Sequence, residues 1–467
     1  MALDLDGFEI TRAPAGPSRM RAGRSGQSRL NKGTAAALVA MLFLFPIPLA
    51  ANRPIFWAIN AMAIGALALV YAIAMMRMEE RFRFPLLRVP ALTILWTALC
   101  LYMVVQLLPV GAFGAETRWG DIFTTSQISI APGMTILALV QFATFGVFFF
   151  LMLQVTSNRS RAIPVAEALF AIVVAFAVYG VLALTQFGDT LLFFEKWAYH
   201  GSATATFVNR NSYATFLAFG LVIGAALSIR KLAEGRSPRG STLILYGLGM
   251  AVIVSALLLS QSRMGLAAGL TGSVFVLAAG GVKMSRERPA LGLAVICLGA
   301  VAVAGLAMLF GSGTLERLGS TEHDLDVRRA LYEQVAVLIG QRPWLGFGAG
   351  SFELAFPLVR DLPVSPDRVW DKAHSTYLSL WVELGLIAGS IPLLAIGWIG
   401  LKCARLFVLR KTDWTLPLAA LGAIVVAALH SLVDFSLEMQ ANAFFLVAIL
   451  AIGLAGESNF VPRSGHK

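Results

Sequence analysis

Cysteine is almost missing from this chain: three in 467 residues, Cys100, Cys297 and Cys403, far apart and in or beside apolar stretches. That spacing offers no CxxC pair for zinc or redox chemistry and assigns the three to helix packing. Charged residues are scarce as well, at 13% of the chain against 58% hydrophobic, with a mean hydropathy of +0.76. A soluble domain carries roughly 25% charged residues, so an ordinary soluble protein is excluded. Also absent are an internal repeat of fixed period, a GxxxxGK[ST] phosphate loop and a nucleotide fingerprint opening a cytoplasmic βαβ unit, which removes bound ATP as a driving force.

What the chain has is apolar sequence in long runs. A bilayer core of roughly 30 Å takes ~20 apolar residues in a helix. Twelve such runs are present, at 34–51, 54–76, 89–110, 133–156, 163–187, 211–229, 241–260, 263–282, 290–310, 375–401, 415–434 and 439–456. The expectation is an all-α integral membrane protein with about twelve transmembrane helices, two of them separated by a very tight turn at 261–262.

Orientation follows from the basic residues, because Lys and Arg in short loops resist translocation. Alternate segments carry Arg12, Arg19, Arg21, Arg24, Arg29 and Lys32; Arg77, Arg81, Arg83 and Arg88; Arg159 and Arg161; and Arg230, Lys231, Arg236 and Arg239. The series continues with Lys283, Arg286 and Arg288, then Lys402, Arg405, Arg410 and Lys411, then Arg463 and Lys467. All become cytoplasmic if both termini are inside. The opposite short loops hold only Arg53, Arg118, Lys196, Arg210 and Arg263, together with a long loop at 311–374, with short helices, that crosses regardless of its charge. The net charge of +11 is then largely an inner-surface property, suited to anionic membrane lipids and giving no reason to invoke nucleic acid. Residues 1–33, polar, basic and rich in Gly, Ser and Arg, read as a disordered cytoplasmic tail, and 457–467 as a second one. The late start of the first apolar run and the poor cleavage site in "LFPIPLAAN" argue against a cleaved signal peptide.

Few ionisable residues fall inside the spans: Glu167, Glu383 and His430, with Asp434 at an outer boundary. A proton-coupled transporter needs such groups near the midplane, which weighs against one. The informative charges lie on the outer side: Arg210, Arg263, Arg328, Arg329 and His374. Any one arginine at that depth can simply snorkel to lipid phosphates. Together they suit a diphosphate, because the guanidinium fork donates two parallel hydrogen bonds to phosphate oxygens and keeps its charge. A histidine, with its ordinary pKa near 6.5, can take a proton from an attacking hydroxyl. Asp324 and Asp326 have the spacing of a metal-binding pair, against the plainer reading of a solvated start to a helix at about 326–340. Asp371 either orients His374 or only precedes its helix, and the roles of Asp434 and Glu438 are open. The glycine-rich "GFGAGSF" at 346–352 reads as a flexible turn.

Three segments in order, "ATFVNRNSYATFL", "LLLSQSRMGL" and "RRALYEQVAVLIGQRPWLGFGAGSFE" followed by "HSTYLSLWVELGLIAG", resemble the O-antigen ligase and polymerase family over roughly residues 200 to 400. The resemblance implies a C-type membrane glycosyltransferase of the bacterial inner membrane. Such an enzyme passes a glycan from undecaprenyl diphosphate to an acceptor glycan or lipid A-core at the periplasmic face, with no metal, nucleotide sugar or other cofactor. It also implies partnership with other polysaccharide assembly proteins. By the same resemblance His374 is the catalytic histidine and Arg210, Arg263 and Arg328 hold the diphosphate; Asp371, Tyr377, Asn209 and Asn211, beside them in sequence, are candidates for support. Two departures stand out. Asn209-Arg210-Asn211 replaces the family's usual Asn-Pro-Asn, so that Lys196 or His200 could share the task of Arg210, and Ser375 stands where Asn is common.

The Val-Asn-Arg-Asn form at 208–211 looks more like that of exopolysaccharide polymerases than of ligases, which tilts the reading to a polymerase. A flippase for lipid-linked sugars predicts polar residues lining a path through the membrane instead of an outer cluster. A non-catalytic assembly scaffold predicts that His374 is dispensable. His323 and His200 are weaker candidates for the base, and His430 is most simply a packed helix residue.

Overall fold

The computed structural model describes residues 17–109, 117–119, 123–192, 194–234, 240–311, 318–367 and 369–456. Its helices are α1 (Pro17–Leu44), α2 (Pro54–Arg77), α3 (Pro90–Gln106), α4 (Pro132–Thr156), α5 (Arg159–Thr185), α6 (Arg210–Ala233) and α7 (Gly240–Leu259). They continue with α8 (Arg263–Ser285), α9 (Pro289–Gly311), α10 (Leu318–Gln341), α11 (Phe352–Ala355), α12 (Thr376–Leu409), α13 (Thr415–Ser431) and α14 (Gln440–Ala455). One antiparallel hairpin pairs β1 (Thr117–Trp119) with β2 (Phe123–Thr125) between α3 and α4. Each of the twelve expected spans has its helix, and among the described residues seven are long and apolar enough to cross a bilayer by themselves. The chain is an all-α membrane protein.

Burial ranks the helices. In α6, 94% of the apolar window is inside the protein, against 22% for α2. Accordingly α6 is the axis of the bundle, packed by α5, α7, α8, α13 and α14, while α9 packs on α8 and α14 on α4. Close approach to the axis depends on missing side chains: a Cβ on Gly265 or Gly269 of α8 would collide with Ala214 or Ala218 of α6. Packing of this kind takes the place of a hydrophobic driving force between helices in lipid.

Three local features depart from, or sharpen, the sequence expectations. Helix α1 begins inside the stretch read as a disordered tail. Gln27 and Asn31 are buried there; Gln27 Nε2 donates to the Arg81 carbonyl (2.9 Å) and Asn31 Oδ1 accepts from Tyr71 (3.2 Å). Polar residues thus order this segment against α2, whereas residues 1–16 and 457–467 of the two tails lie outside the described residues. The turn at 261–262 is as tight as expected. Gln261 takes φ 55°, and Ser262 caps α8 by accepting from the Gly265 amide (3.3 Å).

The third feature corrects the flexible turn at 346–352. Helix α12 breaks at Gly385 (φ 75°, ψ 168°), which exposes backbone groups that a continuous helix would satisfy. The glycine-rich segment satisfies them. Phe347 and Gly348 amides donate to the Val382 and Glu383 carbonyls (both 2.9 Å), and the Leu386 amide donates to the Pro343 carbonyl (2.7 Å). Gln106 at the end of α3 completes the set, donating to the carbonyls of Glu383 (2.9 Å) and Leu345 (3.0 Å) and accepting from the Ala349 amide (3.1 Å). Gly346, Gly348 and Gly350 all have positive φ, and a Cβ on Gly346 would meet the Glu383 carbonyl. Non-helical backbone is tolerated at such a place only when the protein itself pairs it.

Candidate functional site

The starts of α6, α8 and α12 meet at one end of the bundle, and the expected site residues stand at those starts. Arg210 is the first residue of α6, with Asn209 as cap; Asn209 Oδ1 accepts from the amides of Asn211 (2.7 Å) and Ser212 (3.4 Å). Arg263 is the first residue of α8. The two helices are joined where Ser262 Oγ donates to Asn211 Oδ1 (2.9 Å). Their N-terminal dipoles and the two guanidiniums add positive potential to the same region.

His374 is held two residues before α12 in a conformation uncommon for a non-glycine residue, φ 52°. The surroundings over-determine it. Its carbonyl accepts from the Tyr332 hydroxyl of α10 (2.9 Å), and its ring lies edge-on between Trp370 (centroids 5.8 Å) and Phe435 (5.1 Å). Ser375 Oγ donates to the Ser431 carbonyl (3.1 Å), and the Thr376 amide donates to the Asp434 carbonyl (3.3 Å). The segment just before it is anchored by Lys372, which pairs with Glu438 (3.0 Å), itself accepting from Ser379 (2.8 Å). This gives Glu438 a supporting role that the sequence left open. Nδ1 of His374 is buried with no hydrogen-bond partner among the described residues.

Electrostatics follow from this burial. Desolvation lowers the His374 pKa and the Arg328 charge lowers it further, with Asp434 and Asp371 opposing. Burial raises the carboxyl pKa of Asp434, against hydrogen bonds from Ser436 and Asn211 and the charges of His374 and Arg328. Arg328 therefore lies within electrostatic reach of both, and it joins Arg210 around Tyr199, whose ring sits 5.5 Å beneath the Arg210 guanidinium. Arg210, Arg328 and His374 thus belong to one cluster. Arg263 is exposed at its edge and tied in through Ser262.

The remaining expectations separate. Lys196 is engaged elsewhere: its amine is buried in an ion pair with Asp189 (2.6 Å) and donates to the Ser202 carbonyl (2.5 Å). His200 is exposed on the same loop. Tyr377 spends its hydroxyl on the Ala428 carbonyl (3.0 Å), tying α12 to α13. Asp371 is exposed and reaches His374 only through its charge. Arg329 points away into an exposed pair with Glu333 (3.0 Å). His430 is a buried, packed helix residue, hydrogen-bonded through Nδ1 to Thr215 (2.9 Å) and Ser436 (3.3 Å). Asp326 is exposed, and the side chains of His323 and Asp324 lie outside the described residues.

Tyr199, Tyr332, Trp370 and Asp434 complete the site without having been singled out as site residues from the sequence. Only Asp434 carried a local signal, an acid closing the apolar run "LHSLVDF"; the aromatic residues are indistinguishable there from ordinary core.

Comparison with known proteins adds one finding. No curated protein matches the chain. Residues 248–393 match the family model described as O-Antigen ligase, a stretch that includes Arg263, Arg328, His374 and the glycine-rich segment and leaves Arg210, Asn211 and Asp434 outside. The family implies a glycosyltransferase-type ligase or polymerase activity on lipid-linked glycan and acceptor substrates. Over that stretch the chain is similar to the O-antigen ligase family.

Proposed function

We propose that the cluster at the starts of α6, α8 and α12 transfers a glycan from a polyprenyl diphosphate carrier to an acceptor hydroxyl, at the periplasmic face of the bacterial inner membrane. The observation that carries the reading is the convergence of arginines at two helix N-termini with a half-buried, conformationally fixed histidine. His374 accepts the proton as the acceptor oxygen attacks the anomeric carbon. The bond from that carbon to the diphosphate oxygen breaks, and the lipid diphosphate leaves carrying the electron pair. Negative charge grows on the diphosphate during this step, so Arg210, Arg263 and Arg328 stabilise the transition state more than the ground state. No metal ion takes part. A chelator such as EDTA is therefore expected to leave transfer unchanged, and loss restored by a divalent cation would overturn that part.

The polymerase form is favoured over ligation to lipid A-core, and one assay separates them. Purified protein in lipid nanodiscs receives the lipid-diphosphate glycan alone, then with lipid A-core. A ladder of lengthening chains from donor alone marks a polymerase, and product only with lipid A-core marks a ligase. No product with a verified donor in either arm defeats the enzyme reading.

Arg263 tests the diphosphate role. Arg263→Ala is expected to reduce transfer about 10- to 100-fold, and Arg263→Lys to recover only part, because Lys supplies charge without the two-pronged fork. Equal turnover by the wild type and both variants would remove Arg263 from the mechanism.

A further inference from the structure

Arg210 differs from the other basic residues of the bundle in what holds it. Among the described residues its guanidinium makes no hydrogen bond or ion pair, and its Nε is buried without a partner. Its contact is with a ring, the guanidinium carbon lying over Tyr199 at 5.5 Å. Attraction to the face of a ring consumes no N–H, so the fork is held while its donors stay unspent. Tyr199 has an unspent donor as well. Asn209 Oδ1 is committed to capping α6, where it accepts from the Asn211 amide (2.7 Å), so the contact of 3.3 Å runs from Asn209 Nδ2 to the Tyr199 oxygen. The phenol is the acceptor there, and its own hydrogen has no acceptor among the described residues. Six of the eight tyrosines give theirs to an acceptor within the protein, which makes Tyr199 an exception, and one within electrostatic reach of both Arg210 and Arg328. Burial and the Asp434 charge raise its pKa against those two arginines, so the phenol keeps this hydrogen at physiological pH.

The backbone that presents the ring is fixed too. Tyr199 takes φ 57°, uncommon for a bulky side chain, and its carbonyl accepts from the Ser202 amide (3.2 Å). The ion pair of Lys196 with Asp189 clamps this turn: Lys196 also donates to the Ser202 carbonyl, and Asp189 accepts from the Gly201 amide (2.8 Å). Gln261, in the turn before α8, donates to the Gly201 carbonyl (3.0 Å). A strained conformation persists only where its surroundings over-determine it, as they do here.

We propose that Tyr199 is a donor-binding residue of this site: its ring holds the Arg210 guanidinium, and its hydroxyl donates to an oxygen of the carrier's diphosphate beside Arg210 and Arg328. The inference rests on the reading of the cluster as the diphosphate site. It also accounts for the departure at 209–211. Proline at the first position of a helix fixes its own backbone, whereas an arginine there needs its long side chain fixed from outside. The ring does this without occupying the hydrogen-bond donors that the diphosphate requires.

The test is binding of farnesyl diphosphate to the full chain in detergent, read by native mass spectrometry, with farnesol as the probe that lacks the diphosphate. Tyr199→Phe keeps the ring and removes the hydroxyl, and is expected to weaken binding about 10-fold. Replacing the same residue by 3,4,5-trifluorophenylalanine keeps the shape and drains the negative face of the ring, for a further loss of about 3- to 5-fold. That further loss should vanish in an Arg210→Ala background, because the ring acts through Arg210. Both replacements conserve the packing of the turn, and melting of each variant checks that it is folded. Wild-type affinity in Tyr199→Phe overturns the role of the hydroxyl. Equal affinity of the two phenylalanines with Arg210 present, or an equal difference between them without it, overturns the role of the ring. Failure of the underlying reading looks different: wild-type protein that binds farnesyl diphosphate no better than farnesol has no diphosphate site, whatever Tyr199 does.

Discussion

Replacing His374 by asparagine is expected to cut glycan transfer by about 10²- to 10⁴-fold, the range general bases contribute. Asparagine is the sharper probe because the backbone there has φ 52°. Alanine in that conformation carries the ordinary left-handed cost of about 1–2 kcal/mol, whereas asparagine tolerates it and still cannot act as a base. The variant should therefore reach the membrane folded, bind the lipid-diphosphate donor like the wild type, and fail in turnover. Binding measured by native mass spectrometry and turnover read on a gel separate the two. The wild-type rate should also fall as pH drops through the His374 pKa, which burial places below the usual value of about 6.5, since only the neutral imidazole can take the proton. A rate independent of pH across that range, or turnover retained in His374→Asn, would remove His374 from the chemistry.

The second large effect is on stability. Gly385→Ala is expected to destabilise the protein by on the order of 3–5 kcal/mol, from the left-handed penalty together with a collision that backbone must absorb. A Cβ at Gly385, where φ is 75°, would strike the Trp344 carbonyl and crowd the Leu345 amide. Neither can retreat, because this segment is hydrogen-bonded to both halves of α12 and to Gln106. Gly397→Ala, in the same helix with nothing within 4 Å of the added methyl, is the control and should be neutral or slightly stabilising. Melting in detergent compares the two; equal melting temperatures would mean that the break in α12 is not held as described.

Part of this was legible from sequence because the physics is local. Hydropathy alone located all twelve helical spans. The break at 261–262 announced a tight turn because it leaves almost no chain between two apolar runs. Arg210, Arg263 and His374 stood out because charge at a helix start beside lipid is costly. What sequence did not disclose depends on partners far along the chain. The glycine-rich segment looked flexible because its rigidity comes from Gln106 and from the break in α12 at Gly385. Lys196 looked available because its partner Asp189 faces it only after the loop has folded. Asp434 looked like an unassigned boundary acid because Asn211, Ser262 and Thr376 come together only in the bundle.

The break in α12 also bears on how the protein is made. A transmembrane segment with unpaired backbone partway along it is poorly suited to leave the translocation channel for lipid by itself, since each bare amide or carbonyl costs several kcal/mol there. The groups that cover the break come from α3 and from residues 343–348, all earlier in the chain. Synthesis from the N-terminus therefore delivers the cover before the segment that needs it. A circular permutant that placed α12 ahead of α3 would preserve every contact of the finished bundle and still be expected to insert badly.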